Sequence, residues 1–203
     1  MNINTFRPSY FFKRLRIHTF QKKLPDAPWL TENAVYALNS WLKPSDTGFE
    51  WGSGRSTLWL AERTTHIVSI EHHKGWFENV KSLISNKGLE SKVDYFHLSE
   101  SEEYENKIDD YTEDFNYILI DGRRRLQCLK KAIPRIKPGG IIILDNSDRY
   151  IPNKVGNSFL SVVNKSKNFR NEEWEKTVSL MENWRQFQTS DGINDTTIWV
   201  KPG

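Results

Sequence analysis

Short apolar runs alternate with amphipathic stretches through the middle of the chain, and this alternation constrains the fold more than any other feature. The runs YILID, at residues 117–121, and IIILD, at residues 141–145, are almost continuously hydrophobic and each ends in an aspartate. Apolar runs of this kind are typical of parallel strands that are covered on both faces. A repeated order of strand, helix and strand predicts an open parallel α/β sheet with helices on both faces.

The pattern predicts five parallel strands, at residues 47–51, 66–71, 92–98, 117–121 and 140–145. It predicts four helices, at residues 55–63, 74–85, 124–136 and 155–165. Thr31 can cap a further helix that comes before the first strand and has Val35 and Leu38 on its apolar face.

The pattern changes toward the C-terminus. The segments NWRQFQTS, at residues 183–190, and TTIWVK, at residues 196–201, have the composition of strands, and Asp191 and Gly192 lie between them. We therefore expect an antiparallel hairpin at the edge of the sheet. Residues 1–28 are basic and aromatic and are expected to form an arm, and residues 29–203 are expected to form a single domain.

A glycine-rich loop separates the first strand from its helix in the segment GFEWGSGRSTLWLAER, residues 48–63. Gly52 and Gly54 let the backbone approach a ligand closely, and the following helix offers free N–H groups. A dinucleotide fingerprint requires a third glycine where Thr57 stands, so an NAD site is disfavoured. Glu50, just before the loop, suits a cationic group such as the α-amino group of S-adenosylmethionine.

The second strand, HIVSIE, ends in Glu71, about twenty residues after the glycines. A carboxylate at this position can accept hydrogen bonds from both hydroxyl groups of a ribose. Both NAD and S-adenosylmethionine sites use such an acid, so Glu71 predicts a nucleoside ligand without deciding between the two.

Four motifs, FEWGSGRST, VSIE, YILIDG and KPGGIIILDN, occur in an order and spacing that resemble the class I S-adenosylmethionine-dependent methyltransferases. The resemblance covers residues 48–146. It implies a Rossmann-like, mostly parallel sheet of seven strands with an antiparallel C-terminal hairpin. It also implies a set of cofactor-binding residues: Glu50, Gly52, Ser53, Gly54, Ser56, Glu71, His72, Ser99 and Asp121.

Oxygen-bearing side chains end the fourth and fifth strands. Asp121 ends one, and Asp145 and Asn146 end the other. This arrangement is similar to the catechol and caffeoyl-CoA O-methyltransferases, in which such residues hold Mg²⁺. That group has a lysine as base three residues after the first aspartate. Here Arg124 stands there, and an arginine stays protonated and cannot act as a base.

Three interpretations of this region remain open. Asp121, Asp145 and Asn146 can form a metal site for Mg²⁺. Alternatively, Arg123 and Arg124, together with Asn146, can bind an anionic substrate. The arginines can also be structural, with one of them paired to Asp121. We favour an enzyme without a strict metal requirement, because among three consecutive arginines at least one is expected to point inward.

The predicted reaction is methylation of a hydroxyl group on a small metabolite or sugar, with an anionic acceptor favoured by the arginines. The predicted catalytic residues are Asp121, Asp145 and Asp148, and the adjacent His72 and His73 are weaker candidates for a base. An N-methyltransferase of a small molecule and a protein that binds S-adenosylmethionine without turnover are the alternatives.

Composition and charge disfavour several other classes. No run of eighteen apolar residues occurs, so an integral membrane protein is not expected. The net charge of +3 and the lack of an Asn/Asp-Pro-Pro-Tyr/Phe motif after the fourth strand argue against a nucleic-acid substrate. The single cysteine excludes an internal disulfide, and a reducing cytoplasm is the default location. The sequence does not indicate an oligomeric state.

Overall fold

A computed structural model describes residues 8–153 and 168–203, and seven strands of these residues form one mixed sheet. In chain order they are β1 (Thr47–Trp51), β2 (His66–Glu71), β3 (Val93–His97), β4 (Phe115–Ile120), β5 (Ile136–Leu144), β6 (Arg185–Ser190) and β7 (Asp195–Val200). Their order across the sheet is β3-β2-β1-β4-β5-β7-β6. Strands β1 to β5 are parallel, and β7 runs antiparallel between β5 and β6. The predicted Rossmann-like sheet and its C-terminal hairpin are confirmed.

Helices cover both faces of this sheet. They are α1 (Pro8–Lys23), α2 (Glu32–Trp41), α3 (Arg55–Arg63), α4 (Lys74–Asn86), α5 (Glu102–Asn106), α6 (Arg125–Arg135) and α7 (Glu172–Ser179). The helices predicted at 55–63, 74–85 and 124–136 correspond to α3, α4 and α6. The helix predicted at residues 155–165 lies outside the described residues.

The apolar runs build two hydrophobic cores because successive strand residues point to opposite faces of the sheet. In β5, Ile141 and Ile143 pack on the face covered by α2, α3 and α4, whereas Ile142 and Leu144 pack on the face covered by α6 and α7. All four side chains are almost fully buried. This double burial explains why the run carries no polar residue before Asp145.

β5 begins earlier than the sequence pattern predicts. Ile136 already pairs with Phe115, and a register shift follows before the regular pairing of Tyr117 with Ile141. Gly139 has a φ of +75° within this stretch. The Lys-Pro-Gly-Gly sequence interrupts the apolar pattern, so a prediction from periodicity places the strand start after it.

The N-terminal arm contains a helix, α1, which packs on the domain through Phe20 and through an ion pair of 3.1 Å between Arg16 and Glu32. Thr31 stands at the start of α2 as predicted, but its side chain does not cap the helix. Its hydroxyl instead lies 2.5 Å from the hydroxyl of Thr189 on β6. Within residues 8–153 and 168–203, no helix combines the length and apolar character that crossing a membrane requires.

Candidate cofactor and acceptor site

A cavity of about 800 Å³ opens at the carboxyl ends of β1, β2, β4 and β5, which is where open α/β sheets bind ligands. The loops after these four strands supply most of its wall. The lining residues are Trp29, Gly52, Ser53, Gly54, Arg55, Ser56, Glu71, His72, His73, Trp76, Glu100, Asp121, Gly122, Arg123, Arg124, Arg125, Arg149, Tyr150 and Arg170.

Two glycines let the ends of β1 and β4 meet at the floor of the cavity. Gly52 has a φ of +93°, and a Cβ atom there would lie 2.5 Å from the backbone nitrogen of Gly122. Gly122 in turn donates its N–H to the carbonyl oxygen of Trp51 over 2.6 Å. Gly52 is therefore required both by its backbone conformation and by the close approach of a neighbouring chain segment.

Glu50 lies beneath the glycine loop rather than on the cavity wall, which differs from the predicted direct contact with the cofactor. Its Oε2 accepts hydrogen bonds from Thr57 Oγ1 at 2.6 Å and from Ser69 Oγ at 2.7 Å. Thr57 Oγ1 also accepts the N–H of Gly54 at 3.0 Å. Burial raises the pKa of Glu50 to about 7, although hydroxyl groups around it oppose the rise. Thr57, which stands where a dinucleotide fingerprint has its third glycine, therefore fixes the conformation of the glycine loop.

Glu71 faces the cavity from the end of β2 as predicted and organises the backbone around it. Its Oε1 accepts the N–H groups of His72 and His73 at 2.9 and 2.8 Å. Its Oε2 accepts both the N–H and the hydroxyl of Ser53 at 3.1 and 3.0 Å. The carboxylate therefore joins the glycine loop of β1 to the loop after β2, and the carboxylate oxygens lie at the cavity edge.

The two histidines after Glu71 have structural contacts of their own. His73 caps α4, because its Nδ1 accepts the N–H of Trp76 at 3.1 Å. His72 Nδ1 lies 2.9 Å from Glu71 Oε1, and its Nε2 accepts a hydrogen bond from Arg123 Nε at 3.4 Å. His72 thus lies between an acid and an arginine, and the capping contact makes His73 a poor candidate for a base.

An aromatic wall that the sequence analysis did not identify stands beside the glycine loop. Trp76 Nε1 donates to the carbonyl oxygen of Ser53 at 2.8 Å. The Trp29 ring stacks on Trp76 with a centroid distance of 6.4 Å, and the Arg55 guanidinium lies over Trp29 at 5.2 Å. Trp29 and Trp76 are far apart in the sequence, so no local motif indicates their contact.

The three consecutive arginines after β4 point in three directions. Arg123 is largely exposed and lies 4.0 Å from Glu100. Arg124 pairs with Glu105 on α5 through two hydrogen bonds, so its charge is already neutralised. Arg125 points inward and is almost fully buried. The sequence leads us to expect at least one inward arginine among the three, and in the structure Arg125 has that orientation.

The acids at the ends of β4 and β5 lie in different surroundings. Asp121 lines the cavity and pairs with Arg125 at 2.9 Å, as one of the three interpretations predicted. Asp145 is buried, and its Oδ1 accepts the hydroxyl of Thr196 at 2.9 Å. Burial raises the pKa of both carboxyl groups, and their mutual repulsion raises the pKa of Asp145 further.

Five predicted site residues do not reach the cavity wall: Glu50 and Asp145, described above, and Asp148, Asn146 and Ser99. Asp148 is buried, and its Oδ1 accepts the N–H of Asp195 at 3.0 Å, which fixes the start of β7. Asn146 lies behind Arg125, 3.4 Å from Nη2 of that residue. Ser99 is exposed beyond the end of β3, and the neighbouring Glu100 lines the cavity in its place. A catalytic role for Asp145 or Asp148 therefore has no support from their positions.

The predicted metal ligands do not fit a divalent ion in this arrangement. The guanidinium of Arg125 stands between Asp121 Oδ1 and Asn146 Oδ1, where a shared cation would lie. The Asp145 carboxylate is directed to Thr196. Among the residues that the structure describes, no group of three or more His, Cys, Asp or Glu side chains could hold a metal.

The cavity does fit S-adenosylmethionine. Ser56, in the first turn of α3, lines the cavity together with the glycine loop, and Glu71 and Asp121 present carboxylates to hydroxyl and amino groups. Glu50 Oε1, buried just beneath, makes no hydrogen bond to any described residue. The two carboxylates on the wall suit a ligand that carries both hydroxyl groups and positive charge.

Fold and site together define a nucleotide-binding α/β protein of the methyltransferase type. Residues 49–147 match the family model described as "Methyltransferase domain". This match supports an S-adenosylmethionine-dependent methyltransferase, and solved enzymes of that kind share the fold. Comparison with curated proteins gives no match.

Solved structures share the fold at low sequence identity. The O-methyltransferase TomG from Streptomyces achromogenes, which is involved in tomaymycin synthesis and was solved with S-adenosylmethionine, superposes with a TM-score of 0.64 at 16% identity, over 94% of this chain and 90% of its own. An O-methyltransferase from Bacillus cereus in complex with S-adenosylhomocysteine superposes with a TM-score of 0.61 at 17% identity. The match covers 91% of this chain and 90% of the Bacillus cereus chain. An rRNA methylase from Streptococcus thermophilus superposes with a TM-score of 0.56 at 12% identity. The match covers 82% of this chain and 92% of the methylase chain.

Proposed function

We propose that this chain transfers the methyl group of S-adenosylmethionine to a hydroxyl group of a small anionic acceptor. The observation that carries the proposal is the charge of the cavity wall. Six arginines line it, against three acidic residues, Glu71, Glu100 and Asp121. A surface of this kind attracts anionic acceptors and repels cationic ones, and it gives neutral acceptors no such attraction.

Arg149 and Arg170 are available to bind an acceptor. Arg149 and Arg170 form no ion pair with any described residue, and residues 1–7 and 154–167 contain no aspartate or glutamate. Arg170 lies over the Tyr150 ring at 5.3 Å, and Tyr150 stacks on Trp174 with a centroid distance of 4.6 Å. This stack positions one guanidinium, and Arg149 supplies a second for a carboxylate or phosphate group.

The cofactor-binding role falls to the other side of the cavity. We assign the ribose hydroxyl groups to Glu71, and the methionine portion to the loop from Gly52 to Gly54 and the first turn of α3, because these residues line one side of the cavity. S-Adenosylmethionine supplies a methyl group that is already activated. The protein therefore has mainly to orient the acceptor and exclude water, which can contribute roughly 7–11 kcal/mol.

Asp121 is placed to receive the acceptor's proton. Its side chain is 32% exposed, and the exposed part belongs to the cavity wall between the glycine loop and the arginines. Burial raises the pKa of Asp121, which brings the carboxylate closer to the range in which a general base works well. Arg125 holds one of its oxygens, so the orientation of the carboxylate is fixed.

Matched pairs of acceptors test the proposal. Each pair contains the same hydroxyl compound with and without a carboxylate or phosphate group, and release of S-adenosylhomocysteine is measured. We expect turnover of anionic members, with KM raised about tenfold or more in Arg149→Ala or Arg170→Ala and kcat changed less. Arg185→Ala, an exposed arginine on β6, is the control and leaves KM unchanged. Preference for the neutral members would contradict the proposal.

A further inference from the structure

The guanidinium of Arg125 connects the ends of two parallel strands. Its Nε donates to the carbonyl oxygen of Gly122 at 3.0 Å, and its Nη1 donates to the carbonyl oxygen of Asp145. Its Nη2 donates to the carbonyl oxygen and to Oδ1 of Asp121, and to Oδ1 of Asn146. Each of its three nitrogens thus has a partner at the end of β4 or β5.

One atom of this group stands where a bridging cation would stand. Nη2 lies 2.9 Å from Asp121 Oδ1 and 3.4 Å from Asn146 Oδ1. We propose that Arg125 is the permanent cation of this site: the guanidinium replaces a divalent metal ion between Asp121 and Asn146, and methyl transfer by this chain requires no metal. Arg125 is then a positioning residue, since it acts by orienting Asp121.

The replacement is permanent for two reasons. An arginine carries its charge at all relevant pH values and offers a rigid set of donors, and Arg125 is buried with every nitrogen engaged. A divalent ion at the same oxygens would lie within a few ångströms of the guanidinium carbon. At that distance, in a partly buried site, the two positive charges repel each other strongly.

The backbone conformation directs the side chain of Arg125, rather than that of Arg124, toward the ends of β4 and β5. Arg124 has a φ of +48°, a left-handed conformation that non-glycine residues seldom adopt. It forms the N-cap of α6, with its side chain on Glu105, and α6 starts with Arg125 directed to the strand ends. Asn146, the second described non-glycine residue with positive φ, closes the turn after β5 on the other side of the guanidinium.

Binding of Mn²⁺, followed by electron paramagnetic resonance, tests this inference without any acceptor or turnover. We expect no binding to the wild-type protein at millimolar Mn²⁺. Arg125→Ala leaves Asp121 and Asn146 without a cation and is expected to bind Mn²⁺ at concentrations about tenfold or more below those tested on the wild type. The double variant Arg125→Ala, Asp121→Asn is expected to lose that binding. Arg123→Ala, which removes a neighbouring exposed arginine, is expected to behave like the wild type.

Each outcome decides the inference. Wild-type binding of Mn²⁺ that Asp121→Asn abolishes would overturn it, as would a folded Arg125→Ala protein that binds no Mn²⁺. If Arg125→Ala fails to fold, the wild-type and Asp121→Asn titrations decide alone, and absence of binding to the wild type supports the inference. Because the readout is metal binding, its result is independent of whether the proposed acceptor class is correct.

Discussion

The hydroxyl of Thr57 donates to Glu50 Oε2 over 2.6 Å and, through the same oxygen, accepts the N–H of Gly54 at 3.0 Å. Glu50 lies in β1 and Gly54 in the loop before α3, and both hydrogen bonds are buried. A carboxylate that never touches the cavity thereby controls the shape of the loop that does. In this chain a threonine hydroxyl holds the loop where dinucleotide-binding proteins pack a glycine.

Replacing Thr57 by valine is expected to lower stability by about 1–3 kcal/mol and Tm by several degrees, because a buried acid and a buried N–H lose their partner. Valine keeps the shape of the side chain, so packing changes little. Thr57→Ser retains the hydroxyl and is the control. Thermal denaturation of the three proteins gives the comparison, and equal Tm values for Thr57→Val and the wild type would contradict this account.

The buried Glu50 predicts a specific pH dependence of stability. Its pKa is raised from 4.5 to about 7, so the folded protein holds a proton that the unfolded chain releases. The group therefore favours the folded state fully below pH 4.5, and this contribution, on the order of 3 kcal/mol, is lost as the pH rises through about 7.

Unfolding at about pH 5 and about pH 8 measures this effect. The wild type is expected to lose more stability between the two than Glu50→Gln, which cannot titrate. Glu175→Gln, an exposed acid on α7, keeps the wild-type dependence. Identical pH dependence in Glu50→Gln and the wild type would show that Glu50 is ionised in the folded protein.

Gly52→Ala is expected to destabilise the protein strongly. Alanine there must adopt a φ of +93° and bring its Cβ against the backbone of Gly122. Gly88→Ala is the matched control, because Gly88 also has positive φ, +64°, but has open space around it. We expect a cost of about 1–2 kcal/mol at Gly88 and clearly more at Gly52, measured by urea denaturation. Equal costs would mean that the close approach of the strand ends is unimportant.

The fold could be predicted almost completely from the sequence, because continuous apolar runs such as IIILD fit a strand that is buried on both faces. The glycine loop and Glu71 were likewise predictable, since each follows directly from its position at a strand end. Which of the three arginines points inward could not be predicted, because the answer depends on the left-handed backbone conformation of Arg124, which no sequence pattern indicates.

Contacts between distant segments also escaped the sequence analysis. Asp148 was predicted to be catalytic because it follows β5. In the fold its carboxylate accepts a hydrogen bond from the N–H of Asp195 at the start of β7. Arg149 and Arg170 are separated by twenty-one positions in the sequence. They share the cavity wall because the N–H of Arg170 donates to the carbonyl oxygen of Tyr150 at 2.9 Å and its guanidinium lies over the Tyr150 ring. Such pairings depend on tertiary structure and leave no periodic signal.

Calorimetric titration with S-adenosylhomocysteine tests the central claim, that this cavity binds the cofactor through Glu71, most directly. Glu71→Ala removes the proposed acceptor of the ribose hydroxyl groups, and charge-assisted bonds of this type contribute about 1.5–3 kcal/mol each. Glu100→Ala removes a carboxylate from the same wall and is the control. Thermal denaturation of both variants first establishes that they are folded.

We predict that the wild type and Glu100→Ala bind S-adenosylhomocysteine alike and that Glu71→Ala binds it at least about tenfold more weakly. NAD, titrated in the same way, is expected to bind more weakly than S-adenosylhomocysteine to the wild-type protein. Equal affinity of the wild type and Glu71→Ala, or tighter binding of NAD than of S-adenosylhomocysteine, would contradict the account.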